Sequence, residues 1–79
     1  MDRNVIFAKV KEYILQQLSI EEDKIVDSAR MIEDLGADSA NLMMLIMDLE
    51  TEFDLMVEDD ALGTIKTVGD IVDYIEKKG

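Results

Sequence analysis

Ile6, Val10, Ile14 and Leu18 recur at every fourth position, and Phe7 and Tyr13 widen the stripe they draw. A period near 3.6 residues commits this stretch to an amphipathic helix over about residues 4 to 18. The same period returns between Ser39 and Phe53, with Gly36 and Asp38 as breaker and cap before it and Asp54 where it ends. Asp59-Asp60-Ala61-Leu62-Gly63 reads as one helical turn with acids at its positive dipole end. A last helix opens at Thr67-Val-Gly-Asp70, the spacing of a capping box with Asp in the Glu position, and Val68, Ile71, Val72 and Ile75 carry it on. Lys77 and Lys78 complement its C-terminal end. With no proline and four glycines, the 79 residues predict one all-α domain over 1–79, a small four-helix bundle of three main helices and one short one.

Residues 19 to 38 form a long connection with Ile25, Val26, Met31, Ile32 and Leu35 as its apolar anchors. A loop of this length in so small a domain either has a function or packs down as its own cluster. Ser19-Ile-Glu-Glu22 fits either a capping box or a short turn.

Composition excludes several function classes. The chain has no cysteine and no histidine, so disulfides, thiolate metal sites, a histidine base and the usual nucleophile pairs are all missing. A conventional enzyme is not expected, and no catalytic residue is assigned. The stretch from Asp54 to Asp60 lacks the alternating ligands and central glycine of an EF-hand loop, so no metal site is expected either. No apolar run approaches the roughly 20 residues of a membrane span, and Met1 to Lys11 does not read as a signal peptide. The expectation is a cytoplasmic monomer.

The formal net charge is −11, the reverse of what phosphate contacts need, so nucleic acid is not an expected partner. Residues 1 to 18 carry a net +1 and the remainder −12, with ten acids and no base between Arg30 and Lys66. Such a run is ordinarily a solvated face. It also steers basic surfaces toward the chain.

The second helix carries two apolar faces. Leu42, Leu45, Ile46, Leu49 and Phe53 share an arc of about 100°, the width of a core-facing stripe. Ala40, Met43, Met44, Met47 and Thr51 share another, bordered by Asp48, Glu50 and Asp54. Either the helix is buried on both sides, or the second face is an exposed methionine stripe suited to adaptable docking. Ser39, at the start of this helix, reads ordinarily as a cap. It also reads as an acceptor, because a phosphate ester there lies at the positive end of the helix dipole.

Asp34-Leu35-Gly36-Ala37-Asp38-Ser39, the later Leu49-Glu50-Thr51-Glu52-Phe53-Asp54, Ile65-Lys66-Thr67-Val68-Gly69-Asp70-Ile71 and Tyr74-Ile75 closely resemble the acyl carrier proteins of fatty acid and polyketide synthesis. The resemblance implies a carrier rather than an enzyme, with 4′-phosphopantetheine from coenzyme A on Ser39, beside Asp38. It implies as partners a phosphopantetheinyl transferase and acyl-loading, condensing or acyl-transfer enzymes with basic or apolar docking surfaces. Ala40, Asn41, Met43, Met44, Met47, Asp48, Glu50 and Thr51 are then the docking residues. Leu42, Ile46, Leu49, Leu62, Ile65 and Ile71 are those expected to line an acyl-chain pocket. Within the resemblance the chain departs at four positions: Ala40 where Leu is usual, Asn41 for Asp, Leu42 for a small polar residue and Met44 for Glu. These departures suggest a specialised member of the family. A peptidyl or D-alanyl carrier, and an acidic interaction module without a prosthetic group, are the alternative readings.

Overall fold

The computed structural model describes Asp2 to Lys78. It contains α1 (Arg3–Gln17), a 3₁₀ turn (Glu22–Lys24), α2 (Ser39–Phe53), the single-turn α3 (Asp59–Leu62) and α4 (Val68–Lys78). The four helices expected from spacing are all present, α1 one residue earlier than expected at each end. Asp2 caps α1 by accepting from the Asn4 N–H at 2.8 Å.

α1 packs against both α2 and α4. Ile6, Val10 and Ile14 meet Leu45, Ile46 and Leu49 of α2 and the apolar face of α4 in one buried cluster. Arg3 fastens the outside of this packing, pairing with Asp73, with Glu76 at 3.5 Å and with Asp27 at 3.7 Å.

Ser19 opens neither a helix nor a turn: residues 19–21 are irregular and lead into the 3₁₀ turn, which Glu21 precedes without a side-chain cap bond. Of the five anchors expected in the long connection, Ile25, Met31 and Leu35 are buried, while Val26 and Ile32 are about half exposed. The correction has a local cause. Each follows a buried residue in non-helical backbone, where neighbouring side chains point to opposite sides. Ala29 and Ala37 take further buried places.

This connection is built into the start of α4. Val68 N–H donates to Ala29 carbonyl at 2.9 Å, Gly69 N–H to Asp27 carbonyl at 2.8 Å, and Met31 N–H to Lys66 carbonyl at 2.9 Å. Two N–H groups that a helix start leaves orphaned are thereby satisfied by the loop. The capping box read from sequence forms as well. Thr67 Oγ1 accepts from Asp70 N–H, and Asp70 Oδ2 accepts from both Thr67 and Lys66 N–H, all at 3.1 Å. Those backbone donors hold the Asp70 carboxyl below its ordinary range, with Thr67 Oγ1 and the Lys66 charge adding to the effect.

Candidate functional site

The turn leading into α2 is fixed from one side by Arg30. Its guanidinium pairs with Glu33 at 2.6 Å and Asp34 at 3.2 Å, and its N–H donates to Asp34 Oδ2 at 2.8 Å. The Arg30 side chain, then its backbone N–H, pull the Asp34 carboxyl below the usual carboxylate value. Gly36 follows at φ +77°, the left-handed region that a side chain disfavours. The chain then enters α2 through Asp38.

Asp38 is the cap. Its backbone is extended, its carboxylate accepts from Asn41 N–H at 2.8 Å, and Asn41 Oδ1 accepts from Asp38 N–H at 3.2 Å. This reciprocal box leaves Ser39 as the first helical residue rather than the cap. Ser39 is exposed, and its hydroxyl makes no hydrogen bond to another described residue. Asn41 and Asp38 thus do structural work beside the serine, and Asn41 is half-buried. Gln17 braces the same turn from α1: its amide, oriented by its neighbours, donates to Asn41 carbonyl at 2.9 Å and accepts from Leu45 N–H at 3.0 Å. Nothing in the sequence pattern marks Gln17, because it sits at the end of α1 among other polar residues.

The second face of α2 is open to solvent. Met43, Met44 and Met47 are 46, 56 and 59% exposed, and Ala40, Asp48 and Thr51 are exposed with them. From Ser39 to Met47 the helix carries no charge at all, whereas its far half carries Asp48, Glu50 and Glu52, with Asp54 following. Not all of these acids are free. Glu50 is half-buried and accepts from Val57 N–H at 2.8 Å, holding the chain after the helix. Glu52 accepts from the Tyr13 hydroxyl at 2.6 Å, and that bond, with some desolvation, pushes the phenol up to about 12. Asp54 ends the helix at φ +51°, a conformation Asp tolerates better than most residues.

Beside the start of α2 lies an open cleft of about 210 Å³, walled by Arg30 to Glu33 and by Ile65 and Lys66, with Leu42 on the α2 side. Of the six residues expected to line an acyl pocket, only Leu42 and Ile65 meet there. Ile46, Leu49 and Ile71 are sealed in the core, and Leu62 is half-buried on α3. Met31, Ile32 and the two flanking cations are lining residues that sequence reasoning missed, because periodicity carries no information in irregular backbone.

Among the described residues no helix is long and apolar enough to cross a membrane, and no group of three or more carboxylates is gathered as a metal site.

The family profile described as a phosphopantetheine attachment site matches residues 8–75. An acyl carrier protein of Thermotoga maritima is 51% identical over 76 residues, spanning 96% of this chain and 94% of that protein. One from Bdellovibrio bacteriovorus is 46% identical over 74 residues, spanning 94% and 95%. The solved structure of the acyl carrier protein from Enterococcus faecalis superposes with a TM-score of 0.85 at 35% identity over the full length of both chains. The helical bundle and the sequence are therefore shared along nearly all of the chain's length, and the chain belongs to the acyl carrier proteins, non-catalytic carriers of covalently attached 4′-phosphopantetheine.

Proposed function

We propose that Ser39 is the attachment residue and that the chain, as one domain over 1–79, shuttles acyl groups among cytoplasmic enzymes of fatty acid, polyketide or specialised lipid synthesis. The observation that carries this is the division of labour at the start of α2: Asp38 and Asn41 cap the helix, so the Ser39 hydroxyl is exposed and uncommitted. When bound, the prosthetic group supplies the thiol that holds acyl cargo as a thioester, which a chain without cysteine cannot supply. Ser39 mounts it on a rigid turn, and the dipole of α2 favours the anionic ester at that end. With no histidine in the chain and the Asp38 carboxylate already engaged, the serine proton leaves to a base on the transferase.

The methionine face and the acids beyond it form the docking surface: Ala40, Met43, Met44 and Met47 near the serine, Asp48 and Thr51 farther along. At 1.5 Å per residue the neutral and acidic zones are centred about 10 Å apart. The matching partner has an apolar cleft next to its active site and a basic patch about that far away. Leu42 and Ile65 offer the cargo a shallow seat. A longer chain reaches Ile46, Leu49, Leu62 and Ile71 only where the helices part.

Intact-protein mass spectrometry tests the attachment. The parent, incubated with coenzyme A and a broad-specificity transferase, gains one phosphopantetheine, and Ser39→Ala gains none. Modification of Ser39→Ala would place the attachment elsewhere. No gain by the parent with several transferases would leave an interaction module with the carrier fold.

A further inference from the structure

We propose that Met43, Met44 and Met47 are a modification site for hydroperoxide oxidants, and that their oxidation to sulfoxides releases the phosphopantetheinyl transferase from α2. The inference rests on the docking reading above. Three observations carry it. The three thioethers are about half exposed and lie on one face within two turns of helix, in the charge-free stretch beginning at Ser39. The polypeptide contains no cysteine and no tryptophan, so a peroxide meets no thiol or indole before it meets these sulfurs. Met31, at 2% exposure, is the core's methionine and is shielded.

The chemistry balances without help from the fold. A sulfur lone pair attacks the O–O bond of the peroxide, one oxygen is transferred, the sulfide is oxidised by two electrons, and the peroxide leaves as water or an alcohol. No proton or charge is gained by the protein. Each event converts an apolar side chain into a strongly dipolar one. On the docking reading, an enzyme that acts on Ser39 covers the first turns of α2 and buries this face. An oxidised face then costs it the desolvation of up to three sulfoxides. Because the three side chains project into solvent, the fold itself bears little of that cost. Oxidation is thus read by the partner and not by the core.

The test uses the apo chain, so that no arm thiol competes. After hydrogen peroxide, peptide mapping is expected to place oxygen on Met43, Met44 and Met47 and on Met56, which is 75% exposed between α2 and α3, well before Met31. The KM for the oxidised chain with a broad-specificity transferase should rise ten- to hundredfold, with the melting temperature nearly unchanged. The two epimer-specific methionine sulfoxide reductases should together restore it. Met56→Leu should stay peroxide-sensitive. Met43→Leu/Met44→Leu/Met47→Leu, whatever its starting KM, should become insensitive. An oxidised parent with an unchanged KM overturns the inference and leaves the carrier reading intact. A KM rise that persists in the triple variant overturns it too, as does one matched by a collapse of the melting temperature. A reduced parent that is never modified defeats the carrier reading, and this inference with it.

Discussion

Asp38 and Ser39 are both residues that cap helices, and only the backbone at position 38 decides between them. Its extended conformation gives the cap to the carboxylate and leaves the serine the first helical position. Asn41 completes that cap from the third helical position, so its departure from the family's usual Asp leaves the box intact. Asp70 plays the corresponding part in α4, where its carboxyl lies below the ordinary range because it accepts two backbone N–H bonds. The sign follows directly. A lowered folded value makes the ionised form a stabiliser above the unfolded value near 4, and that stabilisation is lost as pH falls through the folded value. Asp70→Ala should cost about 0.5–2 kcal/mol at neutral pH, the ordinary range for losing a cap. In thermal melts the gap between parent and variant should stay constant above about pH 5 and close as pH falls below about 4. A gap independent of pH would mean that packing, not charge, is what the substitution removes.

Among the elements, α4 depends most on its surroundings, because its first N–H groups find their partners in the chain before α2. Gly69 makes this seat possible: a Cβ there would lie 2.9 Å from Asp27 carbonyl oxygen, which is already bonded to Gly69 N–H. Two effects of Gly69→Ala oppose each other. Helix propensity favours alanine by about 0.5–1 kcal/mol. Overpacking against backbone costs about 1–3 kcal/mol, and the hydrogen bond prevents the loop from retreating cheaply. The clash wins, so urea unfolding should show a net loss of about 1–2 kcal/mol; a gain would show that the connection yields. The helices themselves, including the α4 capping box, were legible because their signals are local and periodic. The seat of α4 was not, since nothing in Asp27 or Ala29 announces a carbonyl aimed forty residues along the chain. Nor was the outward turn of Val26 and Ile32, where the backbone has no period to read. In the candidate site helical spacing separated the methionine face from the core stripe but left its exposure open, whereas the cleft arises from the meeting of Arg30 to Glu33 with Ile65 and Lys66.

At the scale of the molecule, a net charge of −11 is confined within a radius of gyration of 11.2 Å. Ion pairs such as Lys11 with Glu22 at 2.8 Å relieve it locally and are weakened by salt. With nineteen acids against eight bases, self-repulsion outweighs them. Added sodium or magnesium chloride should therefore raise the melting temperature, by about 4–8 °C for each kcal/mol of repulsion relieved. An unchanged midpoint would mean that the carboxylates are already far enough apart. Compactness has a further consequence at the cleft. Its two walls, Arg30 to Glu33 and Ile65 to Lys66, are joined by the bond from Met31 N–H to Lys66 carbonyl, in the same ladder that seats α4. Prising those walls apart would strain the seam that holds the last helix down. The mouth of the cleft and the anchorage of the last helix share one set of stitches, so whatever widens the one loosens the other.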